Sequence, residues 1–299
     1  ELMQRNALGE GEMFRKFKAQ YEMALFRHVK RDITINNIRN LFEEKKIPFV
    51  FLKGVVLMDL YPEPWMRTSS DIDVLVREED LLNAENAFLS AGMKREQKGE
   101  YDISFTSKEN FHIELHYSML EDYTSEKVSR VMKKAWDYFL PKEACSSERI
   151  MQDEMFYFYH IAHMAKHFRN GGNGVRTIID LWLLNHSLSF NQSKRYELLE
   201  EGGLRTFDDN ARALSEKWFS NKENIALLHD FEDYIICGGI FGTSERNITI
   251  KKLKVGNRFV YYIRRVFLPY SKIKYTFPIL QKAPFLLPGA WAIRWFKLI

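Results

Sequence analysis

The segment Asp71-Ile72-Asp73-Val74-Leu75-Val76 restricts this chain more than any other. Its alternation and its branched residues spell a strand. A period of two puts Asp71 and Asp73 on one face and Ile72, Val74 and Val76 on the other. Two carboxylates at the start of an apolar strand are costly to bury unless something cationic sits between them. The competing reading is an Asp-x-Asp that merely caps a turn, and the spacing alone favours that one.

A second segment supplies a third acid. In Phe111–Tyr117, His112, Glu114 and His116 share one face, with Phe111, Ile113, Leu115 and Tyr117 opposite. If the two strands are neighbours, Asp71, Asp73 and Glu114 converge. Three carboxylates on a sheet face make a hard-oxygen site suited to Mg²⁺ or Mn²⁺, used chiefly for phosphoryl or nucleotidyl transfer. His112 and His116 flank Glu114, where an imidazole can orient a carboxylate or accept a proton.

Lys53-Gly54 shifts the balance toward chemistry. It follows Ile47-Pro48-Phe49-Val50-Phe51-Leu52, an apolar run expected of a buried strand. It precedes a helical turn over Val55–Leu60, so backbone N–H groups there can hold phosphate oxygens while Gly permits close approach. Tyr61-Pro62-Glu63-Pro64 must be a loop.

Around these motifs, Phe14, Phe17, Tyr21, Leu25, Val29 and Ile33 predict one or two helices over residues 10–46. A helix is expected over 78–91, closed by Gly92. Strands are expected near 101–106 and 111–117. After Thr124 helical periodicity takes over, through 125–139, 148–169, 175–187, 192–201 and 208–219. The expected fold is therefore α+β, a mixed sheet with helices followed by a mostly helical region. Its domains are residues 1–145, with N-terminal helices, and 146–299, with the boundary in Pro141–Ser147.

Together, Leu52-Lys53-Gly54, Tyr61, Arg67, Asp71-Ile72-Asp73-Val74-Leu75-Val76 and Ile113-Glu114-Leu115-His116-Tyr117 resemble the uncharacterised bacterial nucleotidyltransferase family of the polymerase-β-like superfamily. The resemblance is specific over 47–119 and looser to about 187. It returns in Pro284-Phe285-Leu286-Leu287-Pro288 and Trp291–Arg294. It implies a nucleotidyltransferase-type sheet, with metals held by Asp71 and Asp73 and a third carboxylate from Glu114. It also implies that the Lys53-Gly54 turn faces the triphosphate. The superfamily usually has Gly-Ser where this chain has Gly54-Val55. Val55 offers no hydroxyl, so Lys53, Arg67, Ser69 or Ser70 would have to substitute.

His160, His163 and His167 fall at i, i+3, i+7 of a helical segment and point the same way. A zinc site is one reading, but no Glu stands at the metalloprotease position and no Cys is near. A packed helix is another. The resemblance implies a third, in which these histidines, with Arg176 and Asp180 of Arg176-Thr177-Ile178-Ile179-Asp180, line the cleft opposite the sheet.

Composition closes off other classes. The 299 residues are 45% hydrophobic and 28% charged, enough for a real core and against disorder. No apolar run approaches the roughly 20 residues of a membrane span. Two cysteines, Cys145 and Cys237, suit a reducing cytoplasm, and no secretory leader is visible, although Glu1 is not an initiator residue. From Arg246 to Ile299 there are 12 Lys or Arg and no acid, leaving 32 of the 44 basic residues against all 40 acids before it. This tail interleaves Phe259, Tyr261, Tyr262, Phe267, Tyr270 and other aromatics with its cations. Packing on an acidic body, peripheral docking on an anionic membrane, and nucleic-acid stacking all remain readings, the last without any accompanying motif. Pro278, Pro284 and Pro288 forbid a long amphipathic helix there.

The expected activity is metal-dependent transfer of a nucleoside monophosphate from an NTP to a hydroxyl of a small molecule or protein, releasing pyrophosphate. The alternative is a catalytically idle nucleotide- or partner-binding module of the same fold. Three further expectations follow. The clustered acids should repel one another in the metal-free protein, so that Asp73→Asn stabilises it. The helical half should close over the sheet, bringing its histidines toward the carboxylates. Lys53 should lie at the carboxyl end of its strand, close to Asp71, and bind phosphate.

Overall fold

The computed structural model of the chain describes residues 11–119, 125–170, 174–220, 229–239, 267 and 270–296. A long helix, α1 (Glu12–Glu44), leads into β1 (Phe49–Phe51), the short α2 (Gly54–Met58) and β2 (Asp71–Val76). Then come α3 (Leu81–Ser90), β3 (Lys94–Lys98), β4 (Asp102–Thr106), β5 (His112–His116), α4 (Glu126–Met132), β6 (Phe139–Pro141) and β7 (Glu148–Met151). The strands form one mixed sheet in the order β3-β4-β5-β2-β1-β7-β6. Helices follow: α5 (Asp153–Asn170), α6 (Val175–Ser187), α7 (Gln192–Glu201), α8 (Arg205–Phe219) and α9 (His229–Ile236). The described end of the chain holds α10 (Tyr270–Thr276), α11 (Ile279–Lys282) and α12 (Leu287–Phe296). This is the α+β arrangement expected.

The described chain gathers into two compact units that are not each continuous in sequence. The first takes the chain up to Glu96, Ser104–Tyr117 and Pro141–Ile150. The second takes Gln97–Ile103, Ser118–Leu140 and the chain from Met151 onward. A single cut at 145/146 would fall inside Pro141–Ile150, a stretch that belongs to the first unit.

In the first unit, β2 is central because every residue after Asp71 is buried. It pairs parallel with β5 and antiparallel with β1, and β1 pairs parallel with β7. The core is aromatic. Phe42 of α1 stacks on Phe88 of α3 at 5.0 Å and meets Phe49 of β1 edge-on at 5.3 Å, while Phe88 meets Phe105 of β4 at 5.2 Å. Gly92, which closes α3, has φ +79°, a conformation glycine adopts without strain.

Two expectations need correction. Residues 148–151 are a strand and not the start of a helix, and 135–138 is a single 3₁₀ turn leading into β6. In β7, Glu148 is buried, and Arg39 of α1 and Lys142 pair with it at 2.7 and 2.9 Å. β3 was not foreseen at all. Its sequence Lys94-Arg95-Glu96-Gln97-Lys98 has no apolar alternation because it is an edge strand, which charged side chains protect from further pairing.

The second unit is built on α5, whose Tyr157, Tyr159 and Phe158 are fully buried. Tyr157 donates its hydroxyl to Asp208 of α8 at 2.5 Å, and Arg212 reaches the other oxygen at 3.0 Å. Burial holds the Asp208 carboxyl above its ordinary range despite these partners. At the described end of the chain, Ile273, Leu280 and Ala290 form a small core of their own, to which α12 contributes Ala290. Much of the basic aromatic tail, including Phe259, Tyr261 and Tyr262, lies outside the described residues. No helix among the described residues is long and apolar enough to cross a membrane.

Candidate active site

Three chain segments meet at one end of β2. The parallel register sets Asp71 opposite His112, Asp73 opposite Glu114, and Leu75 opposite His116. Residues in register on adjacent strands share a face, so the two acids of β2 and the acid of β5 face the same way. β1 runs antiparallel to β2, so its carboxyl end delivers Lys53 to the same place. Leu52 N–H bonds Asp73 O at 3.0 Å and fixes that approach.

His116 is the organiser of the cluster, a larger role than its sequence position suggested. Its Nε2 lies 3.0 Å from Asp73 Oδ1 and 3.4 Å from Glu114 Oε2. Burial alone would depress this imidazole, but the hydrogen bonds to Asp73 and Glu114 outweigh it and push it up to about 9. An imidazolium therefore sits between the two acids at neutral pH. His112 Nε2 stands 3.5 Å from Glu114 Oε1 on the other side, and is two-fifths exposed.

Asp73 is buried, yet its carboxyl is held below the ordinary range. Burial opposes ionisation, and the charge of Lys53, followed by His116, overcomes it. Lys53 Nζ is 3.9 Å from Asp73 Oδ1. Glu114 is also held low, first by its hydrogen bond to His116. Lys53 and His116 thus outweigh the repulsion that Glu114 exerts on Asp73.

The remaining residues take distinct places. Asp71 is partly buried and accepts a 2.6 Å hydrogen bond from the Ser69 hydroxyl, while Ser70 is exposed. Lys53 has φ +38°, a backbone setting rare for a side-chain-bearing residue and costing of order 1–3 kcal/mol. Gly54 opens α2 where a Cβ would be tight: one placed there would lie 3.0 Å from Arg31 Nη2, 3.1 Å from Ser69 Oγ and 3.2 Å from Arg67 Nη1. Arg67 is buried.

The helical candidates belong to the second unit. His160 and Asp180 are buried there, and the His163 and His167 rings meet edge-on with centroids 4.3 Å apart. Arg176 lies on α6, partly buried.

Arg31 was missed. Its signal was available: it falls in the buried register of α1 with Thr34, Ile35, Ile38 and Phe42, where a cation is out of place.

Asp73, Glu114 and His116 each place a ligand atom within 4.8 Å of the others, close enough to hold one ion. A family model described as uncharacterised nucleotidyltransferase matches residues 2–220, which span both the carboxylate cluster and α5 to α8. The chain belongs to this nucleotidyltransferase family. No curated protein matches it. Solved structures similar to this nucleotidyltransferase include the antibiotic-resistance factor ANT(2'')-Ia in solution, at 15% identity and TM-score 0.41, covering 62% of this chain and 94% of that one. A crystal structure of ANT(2'')-Ia in complex with adenylyl-2''-tobramycin is similar at 16% identity and TM-score 0.43, covering 58% and 97%.

Proposed function

We propose that this nucleotidyltransferase moves a nucleoside monophosphate from an NTP to a hydroxyl group, in a metal-dependent reaction that releases pyrophosphate. The observation that carries the reading is the face-sharing of Asp71, Asp73 and Glu114 beside the Lys53-Gly54 turn. The donor set fits a divalent ion of the Mg²⁺ or Mn²⁺ kind, because its oxygens are hard and the carboxyls of Asp73 and Glu114 are held below their ordinary range. Asp71, Asp73 and Glu114 would hold it, and when bound it lowers the pKa of an attacking hydroxyl and neutralises leaving phosphate charge.

The chain's own groups do the rest. Lys53 and Arg67 offer positive charge to the polyphosphate, and the hydroxyl of Ser69 holds Asp71 in place. His116 keeps Asp73 and Glu114 ionised and holds them beside one another. His112 orients Glu114 from the exposed side and is the group best placed to take the acceptor's proton. Cys145 and Cys237 are both free and exposed, in keeping with a reducing compartment.

One feature favours a second reading, an idle binding module: Val55 stands where the superfamily's serine would be. Incubation with NTP labelled at the α or at the γ phosphate, together with an extract of the host's small molecules and proteins, separates the two. Transfer predicts that α label becomes acceptor-bound and γ label leaves in pyrophosphate. Binding without incorporation of either label would establish the idle module.

A further inference from the structure

Arg31 of α1 is 3% exposed, and its Nε and Nη2 have no hydrogen-bond partner among the described residues. A guanidinium this deep normally spends its five donors on carboxylates or carbonyls. Here it stands beside a second buried guanidinium. Arg31 Nη2, Arg67 Nη1 and Ser69 Oγ all converge within 3.0–3.2 Å of the point a Gly54 Cβ would occupy. Arg31, Arg67 and Ser69 also line one cavity, together with Arg27, His28 and Trp65. Burial, and then the charge of Arg67, pull Arg31 down to about 10, only partly offset by Asp71, Asp32 and Asp73.

Two like charges converging on the space beside the bare Cα of Gly54 make a receptor for an anion. The Nε and Nη2 of Arg31 need acceptor oxygens that the described residues do not supply, while the Ser69 hydroxyl is already given to Asp71. A phosphate group has enough oxygens, and planar guanidinium forks match it bidentately. The cradle is also one residue from Lys53, whose Nζ is 3.9 Å from Asp73.

We propose that Arg31 is a phosphate-binding residue, which together with Arg67 above Gly54 grips the terminal phosphates of the NTP in place of the hydroxyl absent at Val55. This rests on the NTP-dependent reading given above, and it adds α1 to the site.

The test titrates inorganic tripolyphosphate calorimetrically into wild-type, Arg31→Gln and Arg31→Lys proteins with EDTA present, so that only the anion cradle is probed. Loss of a buried charge-assisted bond commonly weakens affinity roughly ten- to a hundredfold. Arg31→Gln should lose that much, and Arg31→Lys should lose less. Arg31→Gln should also melt higher than wild type without ligand, because one of two adjacent buried charges has gone; a merely structural arginine would have the opposite effect. Should Arg31→Gln not fold, the Arg31 Nε–Hε resonance of wild-type protein decides, and it must shift as tripolyphosphate is added. Equal affinity in Arg31→Gln, or an unmoved resonance, overturns the proposal. Label transfer from α-labelled NTP in the same wild-type preparation keeps the failures apart. Tripolyphosphate binding that ignores Arg31 overturns the cradle alone, whereas binding through Arg31 with no label transfer overturns the transferase reading alone.

Discussion

Replacing Asp73 with asparagine should destabilise the metal-free protein, the reverse of what three crowded carboxylates would suggest. Raising the His116 imidazole from 6.5 to about 9 corresponds to about 3 kcal/mol of preference for the imidazolium in the folded chain. Two carboxylates supply it. Asp73 is the closer, at 3.0 Å against 3.4 Å for Glu114, and the more buried of the two. Assigning it the larger share gives about 2 kcal/mol lost in Asp73→Asn, within the ~1.5–3 kcal/mol of a hydrogen bond to a charged group. Lys53 loses its ion pair with Asp73 in the same substitution, whereas relief of the Asp73–Glu114 repulsion works the other way. The assay is urea denaturation at pH 7 in EDTA, with the slope of the transition checked for constancy. The variant should unfold at lower urea, and the His116 resonance should titrate at lower pH than in the parent. A variant as stable as wild type, or more so, would show that repulsion among the acids outweighs His116 and Lys53, and the electrostatic account would fail.

Other perturbations test neighbouring links. In EDTA, the His116 contribution should be complete below about pH 6.5 and lost as pH rises through about 9, because the folded pKa is the raised one. His116→Gln should flatten that part of the stability–pH curve, and a parallel curve would contradict the assignment. Gly54→Ala places a methyl 3.0–3.2 Å from three polar atoms, so NTP affinity should fall about tenfold or more while circular dichroism stays unchanged. In the helical unit, Asp208→Ala strands the Tyr157 hydroxyl and leaves Arg212 with Asp209 alone, and should cost about 2–4 kcal/mol in thermal or urea unfolding. Unchanged stability there would remove Asp208 from the core's supports.

How much of this was legible in the sequence depends on whether a signal was local. The strand Asp71–Val76 could be read residue for residue, because its period and its burial coincide. The pairing of β2 with β5 was conditional in the sequence, yet the same-face logic of Asp71, Asp73, His112, Glu114 and His116 needed only that condition. β7 was misread because buried Glu148 imitates the polar position of a helix; its burial depends on Arg39, more than a hundred residues away. In α1, Phe17, Tyr21, Val29 and Ile33 repeat at helical spacing but are exposed, while the buried register runs through Arg31, Ile35, Ile38 and Phe42. The apolar pattern of the first half therefore hid the burial of Arg31. The role of His116 was not local either: the cation between the acids is identified only when the two strands lie side by side.

The account turns on whether one ion is held by the carboxylates of β2 and β5. Titration of Mn²⁺ followed by electron paramagnetic resonance, with a non-hydrolysable NTP analogue present, measures this without knowledge of the acceptor. Wild-type protein should take up Mn²⁺ and release it to EDTA, and Asp73→Asn and Glu114→Gln should each bind at least about tenfold more weakly, the loss expected when a ligating oxygen's charge is removed. Variants that bind Mn²⁺ as tightly as the parent would contradict the claim and leave Asp73, Glu114 and His116 as a buried ion network with no metal to hold.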